Sequence, residues 1–230
     1  MSASPEPETA PRRTLAMIHT HPGLIPVFDA LVGRELGGWE AFNILDESLL
    51  RNTIRDRALS VATQRRTISL IWNAVDGGAD AVIVTCSSLG KAVDAARPLC
   101  PVPVFRIDEG MALAAVAAGA RIGVLATLST TLDPTSDLIL RVAAQQQIAC
   151  SLVQSVAVGA FVRLVAGDVA GHDALVAKAL RDVAPQVDVI VLAQASMARA
   201  LAAVQAELGN MPVLTSPDLG MKHIALRLAG

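Results

Sequence analysis

The amino-acid sequence predicts an α/β protein of two pseudo-symmetric lobes, each a mostly parallel sheet flanked by helices. Short apolar runs typical of buried parallel strands alternate with amphipathic stretches of helical spacing. The runs recur at a nearly constant offset along the chain, and small polar residues follow several of them. Open parallel sheets bind ligands at their strand ends, so the expected active site is a cleft between the lobes.

Eight runs rich in apolar residues are predicted strands. They cover residues 14–20, 41–46, 81–86, 102–107, 121–127, 150–155, 188–194 and 211–216. Residues 48–78 show apolar residues at helical spacing and end at Gly77 and Gly78, where a helix stops readily. Further helical stretches are predicted at residues 87–98, 110–120, 133–147, 173–186 and 196–210. This alternation of strand and helix predicts parallel sheets.

The second half of the chain resembles the first at an offset of 107 to 109 residues. The strand that ends at Thr20 matches the one that ends at Thr127, and "VIVTCSSLG" matches "VIVLAQASM" with Cys86 on Gln194. Self-similarity of this kind predicts two related lobes. The expected boundaries are residues 1–13 for a loosely ordered tail, 14–117 with 214–230 for lobe 1, and 118–213 for lobe 2.

Composition favours a small-molecule partner. The 230-residue chain is 17% charged with a net charge of −2, and it lacks the basic cluster that nucleic-acid binding needs. No run approaches the about 18 apolar residues of a membrane span, and the first residues contain no apolar signal segment. Three cysteines do not make a disulfide framework, which indicates the cytoplasm. With no glycine-rich nucleotide loop and no spaced set of ligands, neither cofactor nor metal is expected.

Cys86 is the first candidate for catalysis. It follows a predicted buried strand and precedes a predicted helix, where the helix dipole is expected to lower the pKa of a thiol. A buried packing residue is the alternative. Cys100 and Cys150 lack such a setting and are interpreted as packing residues.

Two histidines and one carboxylate also stand at the ends of predicted strands. His19 and His21 close the first strand, and Asp46 closes the second. One of these residues is a candidate acid/base. Capping of the following helix is the alternative for Asp46.

Hydroxyl-rich turns follow several predicted strands. Candidates for binding an anionic substrate group are Thr20, Ser87, Ser88, Thr127, Ser129, Thr130, Gln194, Ala195 and Ser196. Hydroxyls and backbone amides at helix starts stabilise a carboxylate or a developing enolate. Ordinary turn and cap chemistry is the alternative for each residue taken alone.

With these residues located, the chain from Thr14 to about Gly220 resembles the aspartate/glutamate racemase superfamily, which includes hydantoin and allantoin racemases, arylmalonate decarboxylases and maleate isomerases. "VTCSSLG" is similar to the superfamily's first-cysteine motif, and "ATLSTT" is similar to its carboxylate-binding segment. The resemblance implies a cofactor-independent enzyme that acts on a carboxylate-bearing substrate. It implies Cys86 as acid/base or nucleophile, Thr127 and Thr130 as carboxylate ligands, and a homodimer as an option.

The second cysteine motif of the racemases is altered in this chain. "VLAQASMA" carries Gln194 where the resemblance places a second thiol, and an amide has no proton to exchange near neutral pH. The leading expectation is a racemase or epimerase acting by proton transfer at the carbon α to a carboxylate, with His19, His21 or Asp46 as the second base. The alternatives are a single-cysteine decarboxylase or other lyase that passes through an enediolate, and a non-catalytic protein that binds small carboxylates.

Overall fold

The computed structural model describes residues 12–229, which form two α/β lobes around two four-stranded sheets. The strands are β1 Arg13–His19, β2 Trp39–Leu45, β3 Ala81–Val84, β4 Val104–Arg106, β5 Arg121–Ala126, β6 Ser151–Val156, β7 Val189–Leu192 and β8 Val213–Thr215. The α-helices of this part are α1 Ile25–Glu35, α2 Glu47–Asp56, α3 Val61–Asp76, α4 Gly90–Ala96, α5 Glu109–Ala118, α6 Ser129–Gln145, α7 Ala160–Val165, α8 Val169–Val183, α9 Gln205–Leu208 and α10 Ser216–Ala229. Segments of 3-10 helix occur at Pro22–Leu24, Ser87–Leu89, Arg97–Leu99, Ala184–Gln186 and Ala195–Ala203.

The two sheets repeat one topology. Their strand orders are β2-β1-β3-β4 and β6-β5-β7-β8, and all neighbours are parallel. Leu15 of β1 pairs with Ala81 of β3. Ile122, 107 positions after Leu15, pairs with Val189, 108 positions after Ala81. The two-lobed α/β fold that the sequence predicts is therefore confirmed, and the sequence repeat is a repeat of strand pairing.

The central strands are apolar because helices cover both of their faces. In β1, Leu15 and Met17 pack into a core shared with α1 and α10. Ala16 and Ile18, which point to the opposite face, pack into a second core with α3 and α4. Polar residues therefore begin only beyond the carboxyl end of such a buried strand.

The return from lobe 2 to lobe 1 comes two residues later than the predicted residue 214. Leu192 of β7 pairs with Thr215, so β8 belongs entirely to the second sheet, and α10 then packs into the first lobe. Helix α5, expected in lobe 1, contributes Met111 and Ala115 to the second-lobe core. Arg13, expected in the tail, already belongs to β1. The rest of the predicted tail, residues 1–11, lies outside the described residues.

The helical stretch predicted at residues 48–78 is two helices rather than one. Arg57 takes a left-handed φ of 54° directly after α2. Ser60 then caps α3, its hydroxyl accepting a hydrogen bond of 3.3 Å from the Thr63 amide. The helical spacing of apolar residues continues across the break between α2 and α3, so it does not reveal the break. Ser60, a favourable cap residue, is the sequence signal that does.

Two helical segments beside the cleft also differ from prediction. Helix α6 begins at Ser129, four residues before the predicted start, so the hydroxyls of residues 129–131 lie in its first turn. Residues 195–203 form a 3-10 helix where an α-helix was predicted. A 3-10 helix has fewer residues per turn than an α-helix, so successive side chains of this segment point in other directions than an α-helix would give them. Within residues 12–229, no helix combines the length and apolar character that crossing a membrane would need.

Candidate active site

A cavity of about 150 Å³ lies between the lobes, at the carboxyl ends of strands from both sheets. Its polar wall is made by residues that follow β1, β3, β7 and β8: Thr20, His21, Thr85, Cys86, Ser87, Ser88, Gln194, Ser196 and Ser216. Its apolar wall contains Leu24, Phe28, Leu50, Phe161, Leu164, Ala193, Ala195 and Pro217. Apolar cavities of this size hold a molecule as large as benzene, so the space suits a small substrate.

Seven of the predicted site residues line this cavity. They are Thr20, Cys86, Ser87, Ser88, Gln194, Ala195 and Ser196. The structure brings them together because parallel strands end at one edge of each sheet and the two edges face each other. Their roles toward a substrate remain predictions.

His19 lies outside the cavity wall, and its side chain is fully buried. Its Nε2 is 2.8 Å from Asn43 Oδ1 and its Nδ1 is 3.0 Å from Thr85 Oγ1. Burial lowers the pKa of His19 despite the hydrogen bond to Asn43, so the ring is neutral at neutral pH. With both ring nitrogens engaged, the geometry does not favour the predicted catalytic role.

Asp46 also lies away from the cavity wall, and it caps α2. Its Oδ1 accepts hydrogen bonds from the Ser48 amide at 3.0 Å and hydroxyl at 2.6 Å, and its Oδ2 accepts one from Arg66 Nε at 2.6 Å. Burial raises the pKa of Asp46, but these hydrogen bonds outweigh it and hold the pKa below its usual value. The capping alternative fits the geometry, and the catalytic role does not.

The predicted Thr127 to Thr130 segment stands behind the cavity wall. The Thr127 amide and hydroxyl donate to Gln194 Oε1 at 2.6 and 2.8 Å. Ser129 starts α6, and the Thr130 hydroxyl is buried with no hydrogen-bond partner among the described residues. Because a backbone N–H only donates, the oxygen of Gln194 is the atom that faces Thr127. Its NH₂ group is left as a donor for the cavity.

Cys86 is partly exposed at the cavity wall, directly after β3. The prediction of a lowered pKa was wrong. The 3-10 turn Ser87–Leu89 and then the short helix α4 follow Cys86, but burial raises the pKa of its thiol. Hydrogen bonds from Thr20 and Ser88 lower this pKa, and the charge of Asp108 raises it, without changing the direction. The thiol is therefore protonated at neutral pH.

His21 is the histidine that lines the cavity. Its Nδ1 accepts a hydrogen bond of 3.0 Å from the Gly23 amide, which caps the turn Pro22–Leu24. The neutral ring then carries its proton on Nε2 and acts as a donor. The sequence predicts His21 only as an alternative to His19 for the acid/base role.

The lining residues that the sequence reasoning missed include Thr85, Ser216, Phe161 and Leu164. Ser216 directly follows β8, so the strand-end argument that identifies Cys86 would have found it. The two apolar residues belong to α7, whose position over the cavity depends on long-range packing that leaves no local sequence signal.

The charge of the cavity is low. Among the described residues that line it, the ionisable side chains are Cys86 and His21. Neither a carboxylate that would bind an ammonium group nor a lysine or arginine that would bind an anion stands in this lining. Within residues 12–229, no three His, Cys, Asp or Glu side chains come together as metal ligands would.

A buried ion-pair cluster lies beside the thiol segment. Arg106, at the end of β4, is 2% exposed and donates to both carboxylate oxygens of Asp108 at 3.0 and 2.9 Å. It also donates to Asp94 Oδ2 at 2.9 Å, as Arg141 of the other lobe does. Gly90 makes room for Arg106, because a Cβ there would lie 2.6 Å from Arg106 Nε and closer still to its Cζ.

Comparison with known proteins agrees with this architecture. The family model for Asp/Glu/hydantoin racemases matches residues 29–224. Glutamate racemase isoform RacE1 from Bacillus anthracis superposes with a TM-score of 0.69 at 15% identity, over 94% of this chain and 82% of that one. Allantoin racemase from Klebsiella pneumoniae superposes with a TM-score of 0.67 at 18% identity, over 94% and 88%. Arylmalonate decarboxylase superposes with a TM-score of 0.57 at 19% identity, over 94% and 92%.

No curated protein matches the sequence. The structural similarities lie below 25% identity and establish the fold, which is that of the racemases and of a decarboxylase related to them. The family model covers most of the chain, from a residue within α1 to a residue within α10. On this match the chain belongs to the Asp/Glu/hydantoin racemase family.

Proposed function

We propose that this protein is a cofactor-independent lyase that removes carbon dioxide from a carboxylate-bearing substrate and protonates the resulting enediolate with Cys86. The observation that carries the proposal is a cavity with a single thiol, Cys86, in one wall and the amide of Gln194 in the wall from the other lobe. This ranks the lyase above the isomerase that the sequence favours. An isomerase needs a base before it needs an acid, and a thiol of raised pKa is a poor base.

The reaction balances without a cofactor. The bond between the α-carbon and one carboxylate breaks, carbon dioxide leaves, and the electron pair stays on the α-carbon as an enediolate conjugated with the remaining carboxylate. The S–H proton of Cys86 then forms the new C–H bond, and the thiolate regains a proton from water. Loss of carbon dioxide requires no base, which agrees with the described lining from the second lobe, where no side chain is ionisable.

The apolar part of the cavity wall favours loss of carbon dioxide, and the polar part binds the substrate oxygens. A carboxylate held against Phe28, Leu50 or Phe161 loses hydration, and that loss is relieved when it leaves as neutral carbon dioxide. Ser87 and the NH₂ group of Gln194 are donors for the oxygens on which negative charge develops. With Cys86 as the one proton donor, protonation occurs from one face of the enediolate.

A racemase or epimerase is the second candidate. The match to a family model of racemases favours it, and His21 would have to serve as the second acid/base. Its Nδ1 lone pair is engaged by the Gly23 amide, so this role requires that hydrogen bond to break. A protein that only binds small carboxylates is the third possibility.

A substrate screen in D₂O followed by NMR tests the proposal. The panel contains 2-substituted malonates, hydantoins, amino acids and hydroxy acids, and the Cys86→Ser variant is compared with a Cys100→Ser control. We expect one malonate to lose carbon dioxide and gain one deuteron of one configuration, with the activity lost in Cys86→Ser and kept in Cys100→Ser. Exchange at the α-carbon without loss of mass would establish the isomerase instead. Ligand-induced thermal stabilisation without turnover would establish the binding protein.

A further inference from the structure

Three contacts join the segment that follows Cys86 to helix α6 of the other lobe. These contacts, called the interlobe seam below, are Ser88 Oγ to Thr131 Oγ1 at 3.1 Å, Lys91 Nζ to Asp137 Oδ2 at 3.2 Å, and Arg141 Nη2 to Asp94 Oδ2 at 2.9 Å. Residue numbers rise together on both sides of the seam. The seam therefore fixes the position of the thiol segment relative to the second lobe.

The innermost contact of the seam differs from the outer ones in burial. Ser88 is 2% exposed and Thr131 is 4% exposed. The side chains of Lys91 and Asp137 are more than half exposed. An exposed ion pair contributes at most about 1 kcal/mol, whereas a hydroxyl pair in a low-dielectric interior is costly to leave unpaired.

Ser88 connects the seam to the reacting group. It lies two positions after Cys86 in the turn Ser87–Leu89, and both residues line the cavity. Hydrogen bonding by Ser88 also lowers the pKa of the Cys86 thiol. Either hydroxyl of the Ser88–Thr131 pair is able to donate to the other. When Thr131 donates to Ser88, the Ser88 proton is free to point at the sulfur, and each hydrogen bond polarises the next.

We propose that Thr131 is a positioning residue for Cys86: it holds the Ser88 hydroxyl from the opposite lobe, so that the turn beside the thiol is fixed in place only when the lobes are docked. Its catalytic consequence rests on the proposed function, but the contact itself does not. The ionisable groups that face the thiol are Asp108, whose charge acts on it, and His21, which lines the same cavity.

The test measures the thiol without any substrate. Cys100→Ser and Cys150→Ser leave Cys86 as the one cysteine of the 230-residue chain, and its rate of alkylation by iodoacetamide is recorded from pH 6 to 10. We expect Thr131→Val to shift the midpoint upward and to slow alkylation below that midpoint by roughly threefold. Thr131→Ser should restore the profile of the parent, and Asp137→Asn, in the exposed part of the seam, should leave it unchanged.

A double-mutant cycle separates positioning from general disturbance. In a Ser88→Ala background, Thr131→Val should have no further effect, because Thr131 acts through Ser88. An unchanged profile in Thr131→Val, or a shift that persists in the Ser88→Ala background, would overturn the proposal. If Thr131→Val does not fold, Thr131→Ala is read in the same way. A failed substrate screen would leave these results untouched, so the two proposals fail independently.

Discussion

Replacing Gly90 with alanine tests whether the buried arginine beside the thiol segment is fixed in place. Gly90 begins α4, and a Cβ at this position would overlap the guanidinium of Arg106, at 2.6 Å from Nε and closer to Cζ. Arg106 is 2% exposed and makes three charged hydrogen bonds, two to Asp108 and one to Asp94. The added methyl group therefore forces the guanidinium away from at least one of its carboxylates.

The expected cost follows from these contacts. Removing one partner from a buried ion pair costs about 3–5 kcal/mol, and the better helix propensity of alanine returns about 0.5–1 kcal/mol. We expect the free energy of unfolding to fall by about 2–4.5 kcal/mol. That is a large share of the roughly 5–15 kcal/mol that holds a domain folded.

Urea unfolding followed by circular dichroism measures this change. Gly33→Ala is the matched control, because Gly33 also lies in a helix and a Cβ there would meet nothing within 4 Å. The control should be unchanged or more stable by up to about 1 kcal/mol. If Gly90→Ala were as stable as Gly33→Ala, the reasoning that Arg106 is locked between two carboxylates would be refuted.

Three further predictions concern the site and its surroundings. Gln194→Cys places a second thiol on the wall contributed by the other lobe, and we expect the product of the proposed reaction to lose stereochemical purity, measured by chiral chromatography. Asp46→Ala removes the cap of α2 and should lower the free energy of unfolding by about 1 kcal/mol, while the alkylation rate of Cys86 stays the same. Burial lowers the pKa of His19 and of His223 in the folded protein, so the unfolded chain binds more protons and stability should fall as pH drops below 6.5. His19→Gln should make that fall shallower in urea titrations, and an equally steep fall would show that other groups dominate.

The sequence predicts the strands better than the helices. All eight predicted strands agree with the structure to within two residues at each end. In β3 and β7, which are buried along their whole length, the apolar run is unbroken because helices cover both faces. Helix limits depend on single residues, such as the left-handed Arg57 and the cap Ser60. Periodicity averages over such residues and therefore misses them.

The ends of the predicted strands located the candidate site, but the sequence did not predict the direction in which the pKa of Cys86 shifts. Cys86 and Gln194 meet across one cavity because both follow central strands of parallel sheets. The direction of the thiol's pKa shift depends on burial and on Asp108, which lies 22 positions farther along the chain. His19 and Asp46 stand at strand ends as predicted, yet tertiary hydrogen bonds engage them elsewhere.

Each wall of the cavity is carried by its own sheet: the turn after β3 belongs to the first, and the turn after β7 to the second. Either turn is therefore a module that protein engineers are able to randomise while the other half keeps its native sequence. Libraries confined to residues 194–196 would sample stereochemical outcomes against a constant proton donor. Libraries confined to residues 86–88 would vary the proton donor while the turn at residues 194–196 stays unchanged.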